Sequence, residues 1–420
     1  MQFTRITSAN THLLEKFVSN AGSSLSSFRY FVKRPYSVVS QHLCTWVILE
    51  DGLPEAYGHL DQEGGVVWLG IAVTEHAKGK GYGRKMMQRL MESAESLGLM
   101  RVKLSVDNDN APAISLYERF GFQKTETRET FSFYEWQRTP LRKAVMSSLA
   151  FAGVSAEETI DVCQKNEFIL EFSSGMPYRP DMEQIFLDAP VRKFAHNYFP
   201  APEVPFVLNL GSKNEEIRRT SIRHCVNGMR LSYAAGAPFF SAHAGFCIDP
   251  NPNELGKELS REKHIDRALH MKLFLDSLRE ILDLTADLPT GFLFENNVLA
   301  RMNVYEDGTN PLLCVETEEM LQVQNDISDP RVGILLDTAH LKVSANTLGF
   351  NLEQAAAEIL PYCRCIHHSD NAGERDNNED FDASYWFLPL MKNAAHAVHV
   401  LEVRKQSPEQ LLNMEKLLFS

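Results

Sequence analysis

No run of about 18 apolar residues passes without a charge in this sequence, so nothing in it reads as a membrane-spanning helix. The opening MQFTRITSANTHLLEKF also lacks the basic and then apolar segments of a secretory leader, and a cytoplasmic protein is expected. Cysteines are few: seven, scattered and odd in number. The only close pair, Cys363 and Cys365, alternates along a strand-like run whose spacing suits neither a zinc ribbon nor a redox CxxC motif. They are expected to be reduced and mostly packed. Low-complexity tracts and repeats of fixed period are missing too, which excludes solenoids and disordered tails.

What is present is length, since 420 residues exceed one ordinary domain and leave room for two cores. The net charge of −13 is unevenly spread. Residues 1–140 carry 16 Lys+Arg against 15 Asp+Glu, a balance of +1; the remainder carries 26 against 40, a balance of −14. An acidic second half disfavours tracking a phosphate backbone and suits small substrates or metal cations. No nucleic-acid or membrane partner is expected, and a homo-oligomer is left open.

Residues 65–122 read as strand, glycine loop, helix, strand, and then a polar turn into a second helix. In the first helix Met86, Met87, Leu90, Met91, Ala94 and Leu97 recur at helical spacing, leaving Arg84, Lys85, Arg89, Glu92 and Glu95 for solvent. Its entrance is KGKGYG, Lys78 to Gly83, which puts three glycines where backbone N–H groups have no intrahelical acceptor. Such amides, with Lys78, Lys80, Arg84 and Lys85 beside them, favour a phosphate or pyrophosphate. Gly79, Gly81 and Gly83 fit neither the P-loop nor the dinucleotide fingerprint.

The pattern Lys78-x-x-Gly81-x-Gly83, followed by Asn110-x-x-Ala113-x-x-Leu116-Tyr117 and Phe120-Gly121-Phe122, resembles the GNAT acetyltransferases. Lys78 stands where Arg or Gln is usual in that family. The resemblance implies an acetyl-CoA site formed by Val73 through its backbone, Lys78, Gly79, Lys80, Gly81, Tyr82, Gly83, Arg84 and Asn110. It also implies Tyr117 as the acid that protonates the leaving thiolate, a role suited to a phenol of pKa about 10. Glu75, just after the strand, is a candidate general base.

RETFSFYEWQR reads as the last strand of this first domain, residues 1–140, and residues 141–152 read as a linker. From 153 to 420 short apolar runs alternate with helical patterns: FILEF, VRKFAH, PFFSAH, GFLFEN, VGILLD, CRCIHH and AVHVLEV, with FVLNL a candidate eighth strand. That alternation is the signature of a (β/α)8 barrel, so the expected class is α/β throughout, a GNAT domain followed by a TIM barrel. The seven runs close on Glu171, His196, His243, Glu295, Asp337, His367 and Glu402. In a parallel barrel these ends share one face, and crowded carboxylates need a cation to balance them. Mixed N/O ligation suits Zn, Mn, Co or Fe without choosing among them.

The stretches FAHNYFP, FSAHAGF, LFENN, LLDTAHL, IHHSDNAGERDNN and LEV resemble the xylose-isomerase-like barrels, which include sugar isomerases and epimerases and enzymes of the endonuclease IV type. The resemblance implies Glu295, Asp337, His367 and Glu402 as one metal site and His196 and His243 as histidines of a second. His340 matches a substrate contact or a third-site ligand. The trinuclear hydrolases carry Asp-x-His in the loop after the His367 strand, where this chain has Asp376-Asn377-Asn378. Amide is a poor substitute for imidazole toward a transition metal, which tilts the expectation to one or two metals and to sugar chemistry.

By resemblance Glu295 and Glu402 are the proton-transfer pair on either side of the substrate, with His243 or His340 on its oxygens. Asp376 is a further candidate ligand. The expected protein is bifunctional, an acetyl-CoA-dependent N-acetyltransferase, with an amino sugar as the guess for its acceptor, fused to a metal-dependent sugar isomerase or epimerase. The alternatives are a phosphodiesterase of the endonuclease IV type, or one domain reduced to a binding module.

Overall fold

The computed structural model describes all residues from 1 to 420 except Lys33 and Ser174. It divides into two compact units, one of Met1–Thr139 and Ala286–Pro289, the other of Pro140–Thr285 and Thr290–Ser420.

The first unit is a seven-stranded sheet of β1 (Gln2–Arg5), β2 (His42–Glu50), β3 (Leu53–Glu63), β4 (Val66–Val73), β5 (Arg101–Asp107), β6 (Gln123–Thr127) and β7 (Phe131–Gln137), in the order β1-β2-β3-β4-β5-β7-β6. Two-residue turns set the register of its centre. Asp51 and Gly52 between β2 and β3, and Gly64 and Gly65 between β3 and β4, all have positive φ, as hairpin turns that match strand twist require.

The helix Tyr82–Ser96 lays Met86, Met87, Leu90 and Ala94 on the sheet residues Trp46, Ile48, Leu60 and Leu69. Arg89, expected at the solvent face, is buried instead. Its guanidinium lies 4.3 Å from the Phe3 ring centre and 4.9 Å from that of Trp46, so cation–π stacking compensates the lost hydration. The strands β4 and β5 pair only at Trp68 and Lys103 and then separate, leaving the far end of β4 without a strand partner on that side.

A polar network lies beneath this sheet. The Tyr30 hydroxyl donates to Asp61 at 2.5 Å and is 2.7 Å from His42 Nε2, while His42 Nδ1 is 2.7 Å from the Thr45 hydroxyl. Because the Tyr30 proton goes to the carboxylate, His42 Nε2–H donates to the Tyr30 oxygen, and in the neutral ring Nδ1 accepts from the Thr45 hydroxyl. Its ring stacks on His59 at 4.7 Å.

The second unit is a barrel of eight parallel strands: β8 (Val145–Ser147), β9 (Ile169–Phe172), β10 (Lys193–Ala195), β11 (Phe239–His243), β12 (Gly291–Glu295), β13 (Val332–Asp337), β14 (Cys363–His368) and β15 (Val398–Leu401). A bridge from His196 to Ser241 closes it between β10 and β11. Val145, Phe194, Phe239, Leu293, Leu335, Cys365 and Val400 belong to one buried apolar cluster. All seven cysteines of the chain are unpaired and buried.

Two expectations are corrected here. The stretch 141–152 is no simple linker, because it contains β8, the first barrel strand, whose three residues are too few to show a pattern. FVLNL (206–210) is not the eighth strand. Asn209 there accepts the N–H groups of Gly211 and Phe246 and donates to the Ile248 carbonyl, so side-chain bonds take the place of a ladder. Among the described residues, no helix is long and apolar enough to cross a membrane.

The network makes the first unit acid-sensitive. Burial pushes His59 well below an ordinary imidazole and His42 down to about 4, against the pull of Asp61. Both are neutral when folded, so below about pH 6.5 the unfolded chain binds protons that the folded chain refuses, and stability falls as pH falls. Melting temperatures measured from pH 7.5 to 4.5 should be level above about 6.5 and decline below it. His59→Asn should flatten that decline.

Candidate active site

The strand β4 delivers the chain through a short turn, Glu75–Ala77, into the glycine loop. Gly79 and Gly81 have φ of +78° and +85°, left-handed values that favour glycine, and Gly81 stands at the N-terminus of the helix Tyr82–Ser96. The opening amides at Tyr82, Gly83 and Arg84 therefore face out of the helix without intrahelical acceptors, under its positive dipole end. A Cβ at Gly83 would lie 3.7 Å from Val73 Cγ2 and 3.6 Å from Leu116 Cδ2, which brings the end of β4, the loop and the helix Ala111–Arg119 together.

Tyr117 on that second helix is buried, and burial raises its phenol, so it holds its proton. Its hydroxyl takes no hydrogen bond from the described residues. Asn110 is committed elsewhere, its Oδ1 capping the helix by accepting Ala113 N–H at 3.3 Å. Glu75 Oε2 accepts Ser23 N–H at 3.0 Å, a bond that holds its carboxyl below the usual range and makes it a poor base. A carboxylate not singled out in the sequence lies close by. Glu55 on β3 is buried, 2.6 Å from the Thr74 hydroxyl and 2.8 Å from His76 Nε2.

The barrel brings its strand ends together as the spacing predicts. His367, inward on β14, has Nδ1 3.0 Å from Glu402 and Nε2 3.2 Å from Glu171. Glu295, ending β12, is surrounded by imidazoles: its Oε2 lies 3.3 Å from His196 Nε2 and 3.5 Å from His243 Nδ1, and its Oε1 3.4 Å from His340 Nδ1. Asp337 caps the helix Thr338–Leu348 by taking His340 N–H on Oδ1 at 2.7 Å, which turns Oδ2 to the site. Asp376 Oδ2 lies 3.3 Å from His340 Nε2.

Three groups result, each with ligand atoms within 4.8 Å of one another: Glu295 with Asp337, His367 and Glu402; His243 with Glu295 and His340; and Glu171 with His196 and His367. Glu171 was visible only as one strand end among seven, and its contact with His367 could not be read from spacing. The Asn378 carbonyl accepts Arg404 N–H at 2.9 Å.

Supporting bonds fix the orientations. Asn296 accepts Asp337 N–H at 2.7 Å and donates to the Asp337 carbonyl at 3.0 Å, and the Asn296 carbonyl is 3.0 Å from His340 Nδ1. Ser241 Oγ is 2.9 Å from His196 Nδ1. His368, pointing outward by strand alternation, binds His399 at 2.9 Å and Tyr385 at 3.1 Å and stays clear of the cluster.

The residues fit a cation. Glu171 Oε1, His243 Nδ1, Glu295 Oε2, Asp337 Oδ2 and Asp376 Oδ1 are buried without a hydrogen bond, each such loss costing about 1–3 kcal/mol. Burial raises Glu171 and Glu295 and lifts Asp337 to about 7, the direction expected where buried carboxyls crowd together. His243 is pressed down to about 3 by burial and by His340, which leaves it a neutral donor. Burial would lower His367 and His340, but Glu171 with Glu402, and Asp337 with Asp376, outweigh it and raise both. The donor set is mixed nitrogen and oxygen, as divalent transition metals accept.

Comparison with known proteins agrees with both halves. Residues 12–122 match the model of the acetyltransferase (GNAT) family, and residues 183–405 match that of the xylose isomerase-like TIM barrel. The spermine/spermidine N(1)-acetyltransferase of Bacillus subtilis is 43% identical over 65 residues, 15% of this chain and 43% of that protein. The chain thus spans less than half the length of the curated acetyltransferases it matches. A probable endonuclease 4 of Aquifex aeolicus is 23% identical over 200 residues, 45% of this chain and 62% of that one. Among solved structures, a D-tagatose 3-epimerase-like protein aligns over 66% of this chain and 95% of its own with a TM-score of 0.49 and 15% identity.

A side chain at Gly81 is strained by its φ of +85° and would turn the loop amides away from a shared anion. Gly81→Val should weaken acetyl-CoA binding at least roughly tenfold by calorimetry, consistent with losing a charge-assisted backbone contact.

Proposed function

Because the chain belongs to the xylose isomerase-like TIM barrel family and carries a GNAT acetyltransferase domain ahead of the barrel, we propose that it is a bifunctional enzyme. The first unit transfers acetyl from acetyl-CoA to an amine, and the second isomerises or epimerises a sugar with the help of a divalent metal. The observation that carries the second half is the set of orphaned ligand atoms on Glu171, His243, Glu295 and Asp337 at one mouth.

In the first unit the amides of Tyr82, Gly83 and Arg84 bind the pyrophosphate, the unpaired end of β4 holds the pantetheine arm, and Tyr117 gives its proton to the departing thiolate sulfur. An amino sugar as acceptor follows from fusion with a sugar enzyme. In the barrel Glu295, Asp337, His367 and Glu402 hold the metal, with His196 and His243 available to a second. When bound, the metal supplies Lewis acidity to adjacent substrate oxygens and stabilises negative charge developing on them. Glu295 and Glu402, within one group of close ligand atoms, move the proton on the carbon beside the carbonyl, and His340 Nε2 orients a substrate oxygen. Asn296, Ser241 and the helix cap at Asp337 hold these groups in place.

A second reading has a specific observation in its favour. His196, His243 and the His340–Asp376 pair exceed what the four-residue group needs, and endonuclease 4 is among the relatives, so a phosphodiesterase acting on abasic DNA is the competing assignment. Asn378 and the charge of −14 over residues 141–420 weigh against it.

Purified whole chain should contain about one or two transition-metal ions per molecule by mass spectrometry, and Glu295→Gln should lower that content and abolish sugar conversion. A metal-free protein with full sugar activity would defeat the proposal, and efficient incision of an abasic duplex would replace it with the second reading. In the acetyltransferase assay Tyr117→Phe should reduce kcat roughly a hundredfold while leaving acetyl-CoA affinity unchanged, as loss of a general acid does.

A further inference from the structure

A cavity of about 560 Å³ opens over the cluster, with His243, His340 and Asp376 in its wall. This volume lies in the range of sites for drug-sized ligands and exceeds what a single sugar ring fills. Much of the remaining wall is carbon, from Tyr198, Phe206, Phe246, Leu259, Met302 and Leu312. Asn197, Asn297, Asn303 and Asn377 can serve some hydroxyls of a free sugar, but those set against the carbon part of the wall would lose water without gaining partners. An apolar group placed there is stabilised by leaving water. The cavity is thus polar at one end and apolar over its body.

Charge adds a third element. Arg375, one residue before Asp376, lines the same cavity, is exposed, and forms no ion pair with the described residues. Its guanidinium is free to take an anion.

We propose that the barrel's substrate is amphipathic and anionic. Its adjacent oxygens meet the cluster at His243 and His340, an acyl, alkyl or aryl substituent packs against Phe206, Met302 and Leu312, and an acidic group pairs with Arg375. The inference rests on the reading of the cluster as a metal site and narrows the substrate from sugars in general to one bearing an apolar substituent and a negative charge.

The test uses hydroxamates, which chelate a metal through two adjacent oxygens and can be extended at the other end. The whole chain is first titrated with Mn(II), then with acetohydroxamate, benzohydroxamate and 4-carboxybenzohydroxamate by calorimetry. Benzohydroxamate should bind at least about tenfold tighter than acetohydroxamate, with the advantage lost in Met302→Gln. The added carboxylate should tighten binding a further several-fold, and only until Arg375→Gln removes it. Equal affinity for the first two ligands, or an advantage that survives Met302→Gln, overturns the apolar part; a carboxylate without effect overturns the anionic part.

If no Mn(II) binds, the metal reading itself has failed. The cavity is then judged by the emission of anilinonaphthalene sulfonate, an apolar anion that needs no metal. Enhancement that falls in both Met302→Gln and Arg375→Gln supports the lining assigned here, and emission indifferent to both variants rejects it.

Discussion

Ionisable atoms buried without partners are the constraint on which the barrel's mouth depends. Folded proteins leave few polar atoms unsatisfied, yet Glu171, His243, Glu295, Asp337 and Asp376 each keep one within a single cluster. Several of these residues are held by other bonds. Asp337 spends one oxygen on a helix cap and its backbone on Asn296, while His196 leans on Ser241. Such supports remove rotational freedom and keep the orphaned atoms turned to the barrel's mouth. Rigid parallel strands behind them then make that placement a property of the fold.

The first unit meets the opposite requirement. Its loop offers unpaired donors where the barrel offers unpaired acceptors, and each is produced by the way a regular element ends. A helix start leaves N–H groups open, and glycine at 79 and 81 lets the chain turn so that they point outward. Strand ends have no such intrinsic charge, so the barrel must supply side chains. Backbone groups can therefore face an anion, whereas each candidate cation group draws three or four side chains from separate elements.

That difference governs how much could be read in advance. The glycine loop and the helix after it are contiguous, so Lys78 to Arg84 are legible at once, as is the inward His367 beside the outward His368. Ligands on separate strands are legible only through the rule that parallel strand ends converge. The three-residue β8 escaped because apolar alternation needs more positions than Val145–Ser147 provides. FVLNL misled because its composition is strand-like, while Asn209, in its middle, takes over the backbone bonds. Arg89 misled because helical periodicity cannot register the rings of Phe3 and Trp46, which are distant in sequence. Glu55 and Asp61 stayed hidden for the same reason, since their partners Thr74, His76 and Tyr30 come from other elements.

His340 shows what the replacement of one imidazole does to a site. Asn378 offers an amide where an imidazole would be a better transition-metal ligand, and His340 and Asp376 engage each other at 3.3 Å. Asp376 then acts on His340 as a counter-charge, raising the imidazole together with Asp337 against the effect of burial. His340 Nδ1 lies 3.0 Å from the Asn296 carbonyl, and Nε2 lies against Asp376 on the side that lines the cavity. Held between these two partners, the Nε2 edge of His340 is fixed toward whatever enters the cavity.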